Sequence, residues 1–373
     1  MPSSLSDIDR RHLVGAVAHA EAARHRTSPN PAVGCVIAHG ETIIGVGATE
    51  TVGGWHAEIA ALADAGASSV AGATAYVTLA PCAHQGRTPP CADALIDAGI
   101  QRVVVALDDP NPAADGGLRR LRDAHLDVVV LNPSHIVART VACQLEGFLT
   151  VVATQRPFIT LKVAQSTDGR MRLADKKWIT GVDARRSVHR WRSVVDGVLV
   201  GVATVIADDP MLTVRLVGRT CPSPPSVVID SRLRTPIDAQ IVRPGTIIIT
   251  TDNHDQARRS QLVGKGVEIV AVAADRQRVD LSEAMKALAQ RGMLNVFAEP
   301  GPILGGALRS QDLVDRLVVH TAVHDDDGPP TNCLQAPGGA KWILERSGGA
   351  GLDVIQQWLR VRILGGSRFA ETR

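Results

Sequence analysis

His56-Ala57-Glu58, followed downstream by Pro81-Cys82-Ala83-His84-Gln85-Gly86-Arg87-Thr88-Pro89-Pro90-Cys91, decides how this chain is read. One imidazole and two thiolates fill three corners of the tetrahedron that zinc prefers, and the fourth is left for water, as in catalytic rather than structural sites. A carboxylate two positions after the histidine is placed to move that water's protons. His56, Cys82 and Cys91 as ligands, with Glu58 as a non-ligand proton shuttle, therefore spell hydrolytic deamination of a nucleobase-like ring. The flanks agree. His56 follows Gly53-Gly54-Trp55 and opens one helix; Cys91 follows Pro89-Pro90 and opens another, proline being suited to a first helical turn. A helix N-terminus lowers a thiol's pKa, so this placement predicts Cys91 as the ready thiolate. A purely structural zinc needs a fourth protein ligand, and only His84 is near enough in sequence to be considered.

Working outward, helix and strand signals alternate through residues 1–150. Leu13, Val14, Val17 and Ala20 keep helical spacing behind the cap Ser6, and residues 32–46 read as two strands turning near His39-Gly40. Helix is expected over 56–65, strand over 73–79, helix over 90–98, strand over 102–107, helix over 118–125 and strand over 127–131. One closing helix is expected over 134–150. The alternation predicts an α/β layer with a largely parallel sheet. A short junction at 151–155 leads to a second α/β domain, 156–373, with strands expected at 158–164, 198–200, 227–229, 246–250, 267–272, 296–298 and 317–323. Helices are expected at 184–195 and 281–291, and residues 324–339, rich in Asp, Gly and Pro, read as a long loop.

Composition excludes several classes. With 40 basic against 38 acidic residues the formal charge is +2, far from the positive field that polyanion binding needs. Aromatics are 3%, too few for base-stacking platforms, so no nucleic-acid partner is expected. No apolar run approaches the roughly 18 to 20 residues of a membrane span. The first dozen residues carry Asp7, Asp9, Arg10 and Arg11 instead of a signal-peptide core, so a cytoplasmic protein without membrane contact is expected. Six cysteines are too few for a disulfide framework, and Cys35, Cys143, Cys221 and Cys333 read as buried small hydrophobes.

The ligand run, together with Pro29-Asn30-Pro31-Ala32-Val33-Gly34 upstream, closely resembles the bifunctional deaminase/reductase family of riboflavin biosynthesis. The eight-residue gap between the cysteines separates it from nucleic-acid and free-base deaminases of the same superfamily, which usually have two. The resemblance implies a cytidine-deaminase-like three-layer α/β/α domain holding one zinc. It also implies a small-molecule substrate, a phosphoribosylated diaminopyrimidinone. Asn30 would read the pyrimidine edge, His84 and Arg87 would contact the ring or phosphoribosyl group, and Asn111 of Asp109-Pro110-Asn111 would join them, although each residue type also forms turns. Ala80 stands where that family usually has Glu.

The second half lacks a Gly-x-Gly-x-x-Gly after its first strand, but Glu299-Pro300-Gly301-Pro302-Ile303-Leu304-Gly305-Gly306-Ala307 offers backbone N–H groups and a helix start to a phosphate. Lys162-Val163-Ala164-Gln165-Ser166-Thr167-Asp168-Gly169, Trp178-Ile179-Thr180, Arg192 and Thr204 to Arg215 resemble the reductase half of the same family, which implies a dihydrofolate-reductase-like fold and NADPH. By that resemblance Ala164, Trp178, Thr180, Thr204, Asp208, Ser231, Gly301, Pro302, Ile303, Leu304, Gly305, Gly306 and Ala307 line the cofactor. Lys176, Arg192, Leu212, Arg215 and Glu299 face the substrate, and the enzyme is expected to be a homo-oligomer, a dimer or tetramer. Lys176 replaces a small hydroxyl residue and Asp325-Asp326-Asp327 an apolar strand end. Two rival readings stand beside this one: a nucleic-acid-editing deaminase, against which the long insert, near-neutral charge and scarce aromatics speak, and a paralogue with one activity lost that serves as a metabolite sensor or scaffold, which Ala80, Lys176 and the altered loop motivate.

Overall fold

The computed structural model describes the chain except residues 1–4, 25, 67–69, 85–88, 171–177, 217, 219–221, 324–341, 361–362, 365–366 and 369–373. Arg87, Lys176, Cys221, Cys333 and the loop expected over 324–339 therefore lie outside the described residues. The chain divides into two units between Thr154 and Gln155.

In the first unit, α1 (Asp7–Ala23) starts at a capping box. Ser6 N donates to Asp9 Oδ2 at 3.0 Å and Asp9 N to Ser6 Oγ at 3.1 Å, which satisfies two orphan backbone donors. Leu13, Ala16, Ala20 and Ala23 form its buried face, whereas Val14, expected inside, is 56% exposed. Then come β1 (Gly34–His39), β2 (Thr42–Ala48), α2 (Ala57–Ala65), β3 (Thr74–Leu79), α3 (Cys91–Asp97), β4 (Arg102–Leu107), α4 (Gly117–Asp123), β5 (Asp127–Val130), α5 (Ile136–Gln144) and α6 (Glu146–Thr154). The sheet order is β2-β1-β3-β4-β5. Strands β3, β4 and β5 are parallel, but β1 is antiparallel to both β2 and β3. The sheet is thus mixed where a largely parallel one was expected, because the tight turn at Gly40, with φ 55, returns the chain antiparallel.

Two glycines bring helices onto opposite faces of that sheet. A Cβ on Gly34 would lie 2.0 Å from Ala16 O of α1, and one on Gly47, which pairs with the adjacent Cys35, 2.3 Å from Ala57 O of α2. The helix expected over 134–150 is instead two, α5 and α6, bent by 72°, and α6 runs through the expected linker to Thr154. Thr150 and Thr154 hydroxyls donate back to the carbonyls of Glu146 and Thr150 at 2.7 Å, so they stay in the helix instead of breaking it. Cys35 is buried but Cys143 is exposed on α5, against expectation, because it falls opposite the buried Val137, Ala138, Val141 and Ala142. No single helix among the described residues is long and apolar enough to cross a membrane.

The second unit runs β6 (Phe158–Ser166), α7 (Val182–Arg192), β7 (Gly197–Gly201), α8 (Val202–Asp208), β8 (Ser226–Ile229), β9 (Thr246–Thr250), α9 (Gln256–Gly264), β10 (Glu268–Ala271), β11 (Ala274–Asp275), β12 (Arg278–Val279), α10 (Leu281–Gln290), β13 (Asn295–Ala298), α11 (Pro302–Ser310), β14 (Arg316–Ala322), β15 (Trp342–Ala350) and β16 (Asp353–Arg360). Nine strands order as β10-β9-β8-β7-β13-β6-β14-β16-β15. All neighbours from β10 to β14 are parallel, and β16 is antiparallel to β14 and β15. Strand residues alternate between two cores. Leu199, Val227 and Val296 meet Met285, Leu288 and Leu308 on one side; Val198, Val200, Val228 and Ile248 meet Val205 and Leu262 on the other. Burial on both faces explains the unbroken apolar runs. Open α/β sheets bind ligands beyond the carboxyl ends of their strands, and Glu299 and Gly301 follow β13 there, near the middle of the sheet.

Candidate active sites

In the first unit, His56 is the N-cap of α2 and makes no side-chain cap bond, which leaves its ring for other partners. Cys91 is the first residue of α3, and Cys82 follows β3. His56 Nδ1 is 3.2 Å from Cys91 Sγ and 3.7 Å from Cys82 Sγ, and the three ligand atoms all lie within 4.8 Å of one another. Tetrahedral zinc at ordinary bond lengths spaces such donors roughly 3.5 to 3.8 Å apart. The donor set fits that ion in both chemistry and spacing. Position is fixed by backbone: Ala92 N donates to Cys82 O at 3.2 Å, and a Cβ on Gly117 would stand 1.7 Å from Pro81 O. Only glycine lets α4 start against the ligand-bearing segment.

Glu58, 4% exposed, sits in the first turn of α2. Burial raises its carboxyl to about 7, and the neighbouring Cys82 charge adds to the rise. Cys82 is drawn down to about 4 by a hydrogen bond from the Cys91 thiol, with His56 assisting; Cys91 is pushed up by the same bond and by burial. In the metal-free pair the two thiols share one proton through that bond. Metal binding displaces that proton.

The other described residues expected at this site lie in loops. Asn30 is half-buried, its N–H donating to Thr27 O at 2.8 Å. His84 is exposed and is not part of the donor cluster among the described residues. Asn111 Oδ1 accepts from Ala113 N at 3.1 Å, which is the turn-forming use of that side chain. Asp109, given no role from sequence, has its carboxyl raised to about 6 by burial, with Asp108 and Cys82 adding, and accepts from Asn111 N at 2.9 Å. A cavity of about 190 Å³ opens beside Ala80, Pro81 and Asp109.

In the second unit, Arg192 ends α7 and Glu299 follows β13. They pair through two hydrogen bonds, Nε to Oε1 at 2.7 Å and the second guanidinium nitrogen to Oε2 at 3.1 Å, with side chains only 10% and 13% exposed. Two groups that sequence reasoning passed over lie beside them. Lys162 stands in β6, and burial pulls its ammonium pKa down, with Glu299 opposing and Arg192 adding. His320 in β14 is fully buried, its Nε2 3.4 Å from Ser187 Oγ of α7 and its Nδ1 without a hydrogen-bond partner among the described residues. Burial and Lys162 hold His320 down to about 3, so it is neutral. The available signal was a lone lysine in an otherwise apolar central strand, a residue type rarely buried without cause.

The residues expected at the cofactor fall into two groups. Gly301 N donates to Thr204 Oγ1 at 3.1 Å, which ties the start of α11 to α8; Pro302, Ile303 and Gly306 are exposed around that start, with Leu304, Gly305 and Ala307 half-buried. Ser231 follows β8, Ala164 lies on β6, and Asp208 ends α8. Trp178 is 58% exposed, not a core anchor, with the Arg185 guanidinium 5.3 Å from its ring centre. It lines a cavity of about 410 Å³ with Thr180, Val182, Leu352 and Asp353. Leu212, at φ 51, packs its side chain into the core and so offers a ligand its backbone; Arg215 is exposed.

Fold and sites together define a deaminase of the zinc-binding pyrimidine type joined to a reductase. The cytidine and deoxycytidylate deaminase zinc-binding region matches residues 8–107, and the RibD C-terminal domain matches residues 157–323. The riboflavin biosynthesis protein RibD of Escherichia coli strain K12 is 39% identical over 330 residues, covering 84% of this chain and 87% of its own. That of Aquifex aeolicus strain VF5 is 38% identical over 325 residues, covering 85% and 88%. Among solved structures, Acinetobacter baumannii RibD superposes with a TM-score of 0.81 at 32% identity, covering 95% of this chain and 99% of its own. The chain belongs to the RibD family, the bifunctional deaminase-reductases of riboflavin biosynthesis. The expected cytidine-deaminase-like and reductase folds both hold, and the editing-deaminase and scaffold readings are not favoured.

Proposed function

We propose that the first unit deaminates 2,5-diamino-6-(5-phosphoribosylamino)pyrimidin-4-one and that the second reduces the ribosyl group of the product to ribityl with NADPH. The observation that carries this reading is the triangle of His56, Cys82 and Cys91 around a buried Glu58 in one chain with a reductase unit. A solved Thermotoga maritima structure with a TM-score of 0.78 is described as a diaminohydroxyphosphoribosylaminopyrimidine deaminase/5-amino-6-(5-phosphoribosylamino)uracil reductase, which supports the substrate. One zinc per chain, held by His56, Cys82 and Cys91, lowers the pKa of water toward neutrality when bound. Glu58, buried beside the ligands, takes a proton from the attacking water and returns it to the departing amine as the exocyclic C–N bond breaks and ammonia leaves. Asn30 and Asn111 orient the ring, with His84 and Arg87 at the phosphoribosyl side.

When bound at the start of α11, a nicotinamide cofactor would supply hydride to C1 of the opened ribose, and a proton from solvent would complete the reduction. Glu299, oriented by Arg192 through that pair, meets the ribose hydroxyls, and the exposed Arg215 offers its guanidinium fork to phosphate. Lys162 adds a further cation on the same side. Ammonia release and NADPH oxidation, followed separately on the diaminopyrimidine, test the reading. Chelation that removes about one zinc per chain should abolish the first signal, while oxidation of NADPH by pre-deaminated substrate persists. Ammonia release from fully metal-free protein would refute it.

A further inference from the structure

The backbone that carries Arg215 is tied down residue by residue. Arg192 Nη1 donates to Thr213 O at 3.1 Å, Val214 N donates to Ser223 Oγ at 2.9 Å, and Arg215 N donates to His189 Nδ1 at 3.2 Å. This is the pattern of an extended segment, in which the C=O of one residue and the N–H two positions on share an edge while the N–H between them faces the other. His189 and Arg192 are three residues apart on α7, hence on one face of it, and together they serve that shared edge. Upstream, Leu212 sinks its side chain into the core, and Met211 O accepts from the Arg243 guanidinium at 2.8 Å. The Arg215 side chain itself stays exposed. Its guanidinium lies 3.7 Å from Met211 Sδ and, among the described residues, makes no ion pair.

A histidine accepts a hydrogen bond only while its imidazole is neutral. Burial lowers the His189 pKa, and Arg192 and Arg215 lower it further, against the opposing pull of a Thr213 backbone bond and of Glu299. The Nδ1 lone pair is thereby kept free for Arg215 N. Arg192 has a second attachment, since its other two guanidinium nitrogens hold Glu299. A single turn of α7 thus spans from the carboxylate that meets ribose hydroxyls to the backbone of the arginine that meets phosphate.

Building on the reading that Arg215 takes the phosphate of the substrate, we infer that His189 is a positioning residue for that phosphate. It holds the Arg215 backbone on α7 at a fixed offset from Glu299, so that guanidinium and carboxylate meet the two ends of one ribose phosphate together. His189 touches neither end. An arginine on a loose loop would give up backbone as well as side-chain freedom on closing over a ligand, and a backbone tie made in advance removes the first of those costs. His189 therefore contributes to discrimination between the phosphorylated substrate and its dephosphorylated counterpart.

Steady-state reduction of pre-deaminated substrate tests this, with the analogue lacking the 5-phosphate used as a competitive inhibitor. His189→Ala should raise KM for the phosphorylated substrate about 5- to 10-fold, the scale of one net hydrogen bond, with kcat and the inhibitor's Ki within about twofold of wild type. His189→Asn, whose Oδ1 can accept in place of Nδ1, should restore most of the loss. His189→Phe fills the space without an acceptor and should match the alanine variant in KM while keeping the wild-type melting temperature. Arg215→Gln should raise KM further, and His189→Ala should add little on that background, because the two act through one contact. A wild-type KM in His189→Phe, or equal losses of substrate and inhibitor binding in His189→Ala, overturns the inference. An unchanged KM in Arg215→Gln instead overturns the phosphate reading of Arg215 on which it rests.

Discussion

The deaminase centre and the reductase centre use opposite means to place polar groups. At the first, His56, Glu58, Cys82 and Cys91 come from two strand-to-helix junctions, and backbone contact through Gly47 and Gly117 sets where those junctions sit. At the second, Lys162, Arg192, Glu299 and His320 come from segments spread over more than a hundred residues, and an ion pair fixes Arg192 and Glu299. A metal site needs its donor atoms within a few tenths of an ångström, which steric contact provides. A site that grips a long flexible substrate needs forks of charge that adjust to it. The deaminase centre should therefore fail by displacement, and the reductase centre by loss of charge.

Glu58→Gln tests the largest effect. It keeps the ligands and removes the proton carrier, so ammonia release should fall by about 10³-fold, within the usual range for a general acid-base group. Zinc content, measured by metal analysis, and NADPH oxidation by pre-deaminated substrate should stay at wild-type levels. If ammonia release survives, proton transfer runs through another group.

Gly117→Ala is expected to cost about 3 kcal/mol in the first unit, because its Cβ would meet Pro81 O at 1.7 Å and one of two backbones must move. Zinc stoichiometry should drop along with the first unit's unfolding midpoint, while NADPH oxidation by pre-deaminated substrate is retained. Equal loss at both centres would mean that the two do not rely on separate means of support.

Asp9→Asn tests a smaller effect and shows that the first unit, too, uses charge away from its metal ligands. Burial would raise the Asp9 carboxyl, but hydrogen bonds from Arg102, Ser6 and Tyr76 outweigh it and lower the pKa to about 2 from 3.8. The Arg102 bond is 2.6 Å and the Tyr76 bond 3.0 Å. With the folded value depressed, this stabilisation is complete above about pH 4 and is lost as the pH falls through about 2. The variant should lose about 2 kcal/mol near pH 7, with the gap from wild type closing between about pH 4 and pH 2 in denaturant titrations. A gap that does not close would assign the effect to packing.

The ligand trio and its carboxylate were legible because they fall in short stretches whose spacing the chemistry of zinc constrains. Most strands of the second unit were legible because parallel strands buried on both faces must be apolar throughout. The hairpin of β15 and β16 was not: β15 is largely exposed, and β16, though buried or half-buried, is broken by Asp353, Gln356 and Gln357, so neither gives an apolar run. The bend between α5 and α6 carries no proline, and the surrounding residues all suit a helix. Lys162 and His320 gave only faint signals, since a single polar residue in a strand does not show what packs above it.

By itself, then, the sequence determined the chemistry of the first centre, the two-part α/β organisation and the family, since each depends on residue types at fixed short spacing. Tertiary structure alone decided that Glu58 is buried with a raised pKa, that Trp178 faces outward, and that the loop after β8 meets the β11–β12 hairpin. The physical reason is common to all three: burial and electrostatic neighbourhood depend on what the rest of the chain brings alongside a residue, and nothing in the local sequence specifies that.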